Sequence, residues 1–287
     1  MHDEEYIAEG FASLGHEVIR VDNLATSGEI KDVLQRYTPD ILLFCKWEQP
    51  PELDAIINAQ KKTGLKTVCW IFDLYIGYQR EYQVKTRRFF KADYVFTTDG
   101  GHQEEFAKLG VNHHCVRQGI RASECVLEKG NPIGVAFVGS DNPLYPYRQK
   151  MLGEIMLHFP NFKWYGRGDS DEVRGMQLNK IFANTKVIIG DAVYSPYYWS
   201  NRVVETLGRG GFLIHPDVPG IKKEYPHIVT YEVGNIQDLK NKITYYLNHE
   251  QERKDIIKLN FDWVKDNYTV EKKCKELLNV LQSTHNN

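Results

Sequence analysis

The residue pattern predicts an α/β protein built as two doubly wound, parallel-sheet domains facing each other across a cleft. Three observations carry this. Short apolar runs alternate with helical patterns, the alternation restarts after an unpatterned stretch at 119–132, and 287 residues suffice for two domains. Composition agrees with a soluble enzyme-sized chain, with 42% hydrophobic and 26% charged residues and no run long enough to span a bilayer. A formal net charge of −2 argues against nucleic acid as the main partner, leaving only a local basic patch at Lys85, Arg87, Arg88 and Lys91. The cysteines are five, an odd number with no C-x-x-C spacing, and Cys45 and Cys69 fall in apolar runs where buried, reduced thiols are expected. No signal-peptide pattern precedes the first helix, so the expected location is cytoplasmic.

In chain order, Tyr6, Phe11 and Leu14 mark a short amphipathic helix closed by Gly15, which leads directly into the run His16–Val21. In doubly wound folds such a helix follows a first strand and a glycine-rich turn, so the first strand of the N-terminal sheet is expected to be missing or to lie upstream. A helix over Ile30–Tyr37 leads to the strand Asp40–Cys45, a helix over Pro51–Thr63 to Thr67–Phe72, and a helix over Gln79–Phe90 to Asp93–Thr98. Ligands of parallel sheets bind beyond the carboxyl ends of the strands, which points to Lys46, Trp47 and Glu48, to Asp73 and Tyr75, and to Asp99 and His102. Asp73 is either a general base or acceptor-orienting group, or a turn-capping aspartate. His102, at a helix start after Gly100-Gly101, either contacts a substrate or is a solvated capping residue. His113 and His114 resemble a metal pair, but adjacent strand residues point to opposite faces and one ion cannot use both.

The second alternation opens with Val135–Ser140, a strand ending in Gly139-Ser140 before a helix over Arg148–Phe159. Backbone N–H groups there suit phosphate, although neither a G-x-G-x-x-G fingerprint nor a Walker A loop is present. Arg148 is a phosphate contact or a surface arginine. Strands follow at Phe162–Tyr165 and Val187–Gly190, with the loop Gly166–Asp169 after the first and a helix over Asn179–Thr185 between them. After a short strand at His227–Tyr231 come three helices. Asn235 with Asp238 caps the first, and Val270, Cys274, Leu277, Leu278 and Leu281 stripe the last.

The most informative stretch is Tyr197–Gly220, YYWSNRVVETLGRGGFLIHPDVPG. An aromatic loop enters a short helix, Gly208, Gly210 and Gly211 end it, and Phe212-Leu213-Ile214 forms a strand buried on both faces. Helical spacing puts Arg202, Glu205 and Arg209 on one side and Val203, Val204 and Leu207 on the other. The charged side, next to a helix start, suits a diphosphate with a carboxylate for a ribose; the plain alternative is a surface ion-pair ladder. The aromatics Tyr194–Trp199 either stack on a base or cover the cleft.

Phe137–Ser140 (FVGS), Arg148, Ser200–Gly220, and the tail segments Leu239–Ile256 and Phe261–Leu278 resemble the glycosyl transferases group 1 family of GT-B glycosyltransferases, in particular its spore-maturation-protein (CgeB-type) branch. WIFD at Trp70–Asp73 and ADYVFTTD at Ala92–Asp99 resemble it more weakly. The resemblance implies an acceptor-side domain at 1–118, a linker at 119–132, a nucleotide-sugar domain at 133–268, and a helix at 269–287 packing back on the first domain. It implies a hexosyltransferase that moves a sugar from a UDP- or GDP-type donor to the hydroxyl of a glycan, protein or small molecule. Glu205 would hold the ribose hydroxyls, Arg202 and Arg148 would neutralise the diphosphate, and Gly139, Ser140, Tyr198, Ser200 and Asn201 would line the donor. Asp73, His102 and Arg202 are the catalytic candidates. No cofactor is expected beyond the nucleotide sugar as co-substrate. The catalysis expected from it is electrostatic and metal-independent. Retaining members often carry a glutamate eight positions before the ribose-binding one, where this chain has Tyr197. The alternatives are a non-catalytic GT-B-like protein that binds a nucleotide sugar or a partner, and a sugar-nucleotide epimerase.

Overall fold

A computed structural model describes residues 3–22, 24–78, 80–140, 146–167, 173, 175–191 and 194–283. Gln79, Gly168 and Asp169, which the sequence reading places in a helix and a loop, lie outside these residues. The chain divides into two compact units, Met1–Arg117 with Glu271–Asn287, and Gln118–Val270.

The first unit runs α1 (Asp3–Ser13), α2 (Ser27–Tyr37), β1 (Ile41–Phe44), α3 (Asp54–Lys61), β2 (Lys66–Ile71), α4 (Glu81–Thr86), β3 (Tyr94–Thr97), α5 (Gln103–Lys108) and β4 (His113–Cys115). Its four strands are parallel in the order β1-β2-β3-β4. Residues 16–22 take no regular structure, and Val18, Ile19 and Val21 stand exposed. A reciprocal capping box starts α2: Thr26 accepts from the Glu29 backbone N–H, and the Glu29 carboxylate accepts from that of Thr26. The helix expected from Pro51 starts as a tight 3-10 turn, Pro51–Leu53, because proline suits a first turn, where its missing N–H has no partner anyway. The helix expected up to Phe90 stops at Thr86, and a second 3-10 turn, Arg88–Lys91, buries Phe89 and Phe90. Val68, Cys69, Trp70 and Ile71 of β2 are all buried, as a central parallel strand covered on both faces requires. Cys45, expected to be buried, is only partly so, since it lies one residue beyond the end of β1. Two of the four cations of the supposed basic patch have acidic neighbours: Arg88 pairs with Asp54 at 2.5 Å and Arg87 lies 3.6 Å from Glu48. On β4, His113 stacks on Phe106 and His114 packs beside Phe96, the opposed directions that strand geometry demands.

The second unit runs β5 (Ile133–Val138), α6 (Pro146–His158), β6 (Lys163–Tyr165), α7 (Met176–Asn184), β7 (Thr185–Ile189), α8 (Arg202–Gly208), β8 (Leu213–Pro216), α9 (Ile221–Glu224), β9 (Val229–Tyr231), α10 (Ile236–Asn248) and α11 (Glu250–Asn267). Its five parallel strands follow the order β6-β5-β7-β8-β9. Alternation along the central strands feeds two cores. Val187 and Ile189 join Phe137, Met151 and Leu239, while Ile188 joins Val203, Leu207 and Leu213. Truncating one such side chain to alanine costs about 2–5 kcal/mol. Gly211 lets α8 turn directly into β8: a Cβ there would lie 2.6 Å from the Thr206 methyl and 2.7 Å from Ile188. Asn235 accepts from the Asp238 N–H and caps α10, as its spacing predicts. The final helix, α12 (Val270–Ser283), buries Val270, Cys274, Leu277 and Leu281. From Glu271 onward it belongs to the first unit, where Cys274 Sγ approaches the Ile7 carbonyl oxygen at 3.8 Å and Lys66 Nζ donates to the Leu281 carbonyl at 3.3 Å.

Candidate functional site

The carboxyl ends of β5 and β7 carry the strongest charge cluster of the second unit. Asp191, two residues past β7, accepts from Arg148 Nε at 2.5 Å through one oxygen and from Arg202 Nη1 at 2.6 Å through the other. Arg148 comes from the first turn of α6 and Arg202 from the first residue of α8. Arg148 Nη1 also donates to the Ser140 carbonyl at 2.9 Å, and Arg202 Nε donates to the Val138 carbonyl. Both guanidiniums lie over the Phe137 ring, at 5.5 and 4.8 Å from its centroid. Two arginines share one carboxylate, and all three side chains are held by hydrogen bonds in a poorly solvated place. Charge preset in this way suits an anion better than the same charge on mobile surface lysines.

Gly139 has a different role from the expected one. Its N–H donates to the Tyr165 carbonyl at 2.9 Å, as part of the sheet edge, and so does not present itself to a phosphate. What matters is the missing side chain: a Cβ would lie 2.5 Å from Arg202 Nη2 and 2.9 Å from the Phe137 ring. The glycine admits the Arg202 guanidinium to the strand end.

Glu205 belongs to a second group. Its Oε2 accepts from Arg209 Nε at 2.9 Å, and the same guanidinium reaches Glu124 Oε2 at 2.6 Å and the Asn179 side-chain oxygen. The surface-ladder reading is therefore corrected. Arg202 turns to Asp191, and Arg209 is 1% exposed, because Glu124 and Asn179 close over it. Glu205 keeps 16% of its side chain exposed beside this buried cation. Around α8, Asn201 is exposed, Tyr198 and Ser200 are half-buried, and the Ser200 hydroxyl is buried without a hydrogen-bond partner. Tyr197 adopts φ +54°, a region uncommon for a non-glycine residue. Its N–H is tied to the Pro219 carbonyl at 2.9 Å and its ring fills the space that a Cβ on Gly220 would take.

The sequence reading missed Asp191 and His215. Asp191 had a usable signal, because it follows a buried strand as Asp73 and Asp99 do. His215, inside β8, had none. Its Nδ1–H donates to the Pro216 carbonyl at 2.9 Å, which leaves Nε2 as an acceptor, buried and without a partner. Burial pushes its pKa down to about 4, so the ring is neutral near Asp191 and Arg202 at pH 7.

In the first unit, Asp99 and His102 come together. The buried Asp99 carboxylate lies 3.0 Å from His102 Nδ1 and accepts the Gly101 N–H at 2.9 Å. A proton on Nδ1 directed at Asp99 leaves the ring's lone pair on Nε2. Asp73 sits apart from this pair in an exposed triad with Lys46 and, at 3.7 Å, Arg80. Both cations occupy the carboxylate, so its hydrogen-bonding capacity is shared with them.

The comparisons with known proteins join this geometry. Residues 142–279 match the family model described as glycosyl transferase-like. None of the curated proteins matches the sequence. Among solved structures, a glycosyltransferase from Rickettsia africae is similar over 98% of this chain and 94% of its own, at 10% identity and TM-score 0.60. Sucrose-phosphate synthase from Thermosynechococcus elongatus is similar over 97% and 92%, at 13% identity and TM-score 0.61. Anabaena HepE in complex with UDP-glucose is similar over 96% and 88%, at 12% identity and TM-score 0.62. The class these define is an α/β chain with the GT-B glycosyltransferase fold, whose residues 142–279 are similar to the glycosyl transferase-like model. Among the described residues no helix is long and apolar enough to cross a membrane.

Proposed function

We propose that this chain is a glycosyltransferase of the hexosyl type, which takes a sugar from a UDP- or GDP-linked donor and passes it to an acceptor hydroxyl. Its motifs favour the spore-maturation (CgeB-type) branch of the group 1 transferases. The observation that carries the reading is the convergence of Arg148 and Arg202 on Asp191 beside Gly139. When the sugar–phosphate bond breaks, negative charge collects on the departing diphosphate. Preset guanidiniums stabilise that charge more in the transition state than in the ground state, and no metal ion is required in this scheme. HepE, whose fold this chain shares, is described with UDP-glucose bound, which supports a nucleotide-sugar donor here. Glu205 takes the ribose hydroxyls on its carboxylate, and Tyr198, Ser200 and Asn201 line the approach to it.

For the acceptor, His102 is the better base. With Nδ1–H held by Asp99, its Nε2 takes the proton of the attacking hydroxyl, and the carboxylate stabilises the imidazolium that forms. Asp73, bound to Lys46 and Arg80, holds charge and orients the acceptor without taking its proton.

Isothermal titration of UDP and GDP tests the donor side. One of them binds the native protein, and Arg202→Met or Glu205→Ala weakens that binding at least tenfold while the fold persists by circular dichroism. Absence of binding for every nucleoside diphosphate overturns the reading. Donor turnover with and without added acceptors separates transfer from epimerisation and from mere binding.

A further inference from the structure

Next to Asp99 and His102 stand Thr97 and His113, which the proposed chemistry does not use. Residues two apart on a strand share a face, so Thr97 of β3 lies on the same side of the sheet as Val95 and its register partner His113 of β4. Helix α5 covers that side, and its Phe106 stacks on His113 with ring centroids 4.0 Å apart. Thr97 Oγ1 and His113 Nε2 are 2.7 Å apart, and the same hydroxyl oxygen accepts the Asp99 N–H at 3.0 Å. Asp99 in turn accepts the Gly101 N–H at 2.9 Å and lies 3.0 Å from His102 Nδ1. A path of hydrogen bonds therefore runs from His113 to His102. Thr97 and Asp99 on this path are fully buried, whereas His102 keeps 17% of its side chain exposed.

His113 is a costly residue to place there unless a ring nitrogen is used. Burial first, then His114 and His102, lower its pKa to about 3, so it is neutral at pH 7 and contributes no charge. Its Nδ1 is buried without a partner among the described residues, a cost that a phenylalanine stacked on Phe106 would avoid. What the imidazole adds over a plain ring is its bond to Thr97, whichever partner donates in it. The use of that bond follows from the turn beyond it. Gly100-Gly101 gives the backbone between Asp99 and His102 wide conformational freedom, so the turn relies on its anchors. A β-branched threonine has few χ1 choices, and the bond to His113 favours the one that sets Oγ1 against the Asp99 N–H. The strand end itself is secured separately, because Thr98 Oγ1 donates to the Phe72 carbonyl at 3.1 Å and Arg117 donates to the Thr98 carbonyl.

We propose that Thr97 and His113 are positioning residues for His102. His113 fixes the Thr97 hydroxyl, the hydroxyl anchors Asp99 by its backbone N–H, and the anchored carboxylate holds the His102 ring by Nδ1. The inference rests on His102 being the base, so its test reads the ring and the reaction separately. Proton–nitrogen correlation NMR on protein with isotopically labelled histidine gives the His102 tautomer, the signal being assigned by its loss in His102→Gln. The native ring is expected to carry its proton on Nδ1. Thr97→Val keeps the side-chain shape, and the Thr98 and Arg117 bonds keep the strand end. It is expected to shift His102 toward the Nε2–H form that predominates in a free histidine side chain. His113→Phe, which keeps the stack on Phe106, is expected to act in the same direction, and it serves alone if Thr97→Val does not fold. Thr97→Ser should restore the native tautomer, which a packing role of the threonine methyl would not allow. A native tautomer in the folded variants overturns the inference, as does a failure of Thr97→Ser to restore it. In the reaction, hydrolysis of UDP-glucose or GDP-mannose, whichever the native protein cleaves faster, is expected to lose about tenfold in kcat in Thr97→Val, with KM within about twofold. A native kcat there beside a disabled His102→Gln overturns the inference and spares the base. If His102→Gln matches the native protein instead, the base reading fails, and the tautomer alone decides whether Thr97 and His113 hold the ring.

Discussion

Each unit places a carboxylate between two cations at the carboxyl end of its parallel sheet, yet the two arrangements differ in solvent. In the second unit, Asp191 and its partners Arg148 and Arg202 have side chains 5–15% exposed. In the first, Asp73, Lys46 and Arg80 are 33–49% exposed. At equal separation, a charge pair interacts about four times more strongly at an effective dielectric of 20 than in water, and salt screens the exposed one further. The buried trio thus holds fixed charge ready for a ligand, whereas the exposed trio is a set of screened contacts. Topology alone makes the two strand ends equivalent; burial separates them.

The largest effect is expected where a buried charge loses its partner. Asp191→Ala removes the carboxylate that both guanidiniums share and should destabilise the protein by about 3–5 kcal/mol in urea titrations. Arg209→Met makes the same point in the neighbouring group, because it removes the buried cation that both Glu124 and Glu205 contact, and a loss of similar size is expected. If either substitution costs less than about 1 kcal/mol, these clusters are more hydrated than their burial indicates.

The next effect is a pH dependence. His215 has a folded-state pKa of about 4 against 6.5 when unfolded, so the unfolded chain binds a proton that the folded one refuses. Its contribution is fully present above pH 6.5 and fades as pH falls toward 4, a span worth about 3 kcal/mol. His113 acts in the same direction in the first unit, where burial lowers its pKa to about 3. Urea midpoints measured from pH 7 to pH 4 should drop for the native protein and drop less for His215→Leu. An unchanged slope in the variant removes His215 from the account.

Ligand affinity comes third. Arg202→Met removes one of two charge-assisted contacts, each worth about 1.5–3 kcal/mol, so binding of the preferred nucleoside diphosphate should weaken about 10–100-fold. Arg202→Lys should restore little, because a single ammonium cannot reach the Val138 carbonyl and Asp191 at once while facing a phosphate.

These contrasts explain what could be read from the residues alone. Strands β2, β3, β7 and β8 were legible to within a residue or two at each end, since continuous β-branched and aromatic runs bounded by glycine or aspartate have few other solutions. Arg202 and Glu205 were legible as a charged pair on a helix. What they face was not. Periodicity put Arg202, Glu205 and Arg209 on one side of α8, but two partners far away in sequence, Asp191 and Glu124, divide them into separate groups. Gly139 was legible as a special position for the wrong reason, because a sequence shows that a side chain is missing and not what occupies the space. Asp99 and His102 lie three residues apart in sequence, and their union depended only on a turn through Gly100-Gly101 that leaves the backbone free to fold back.

The smallest effect is the one that decides the comparison. Asp73→Asn keeps shape and removes charge from an exposed trio, so a stability change under about 1 kcal/mol is expected, vanishing in 0.5 M salt. Its effect on turnover should be modest beside that of His102→Gln, whose loss of a general base is worth about 10²–10⁴-fold. Turnover of the two variants, measured side by side, checks this ranking. Should Asp73→Asn instead cost more turnover than His102→Gln, the cation-bound carboxylate is the base after all, and exposure has not weakened the first unit's charge in the way the dielectric argument requires.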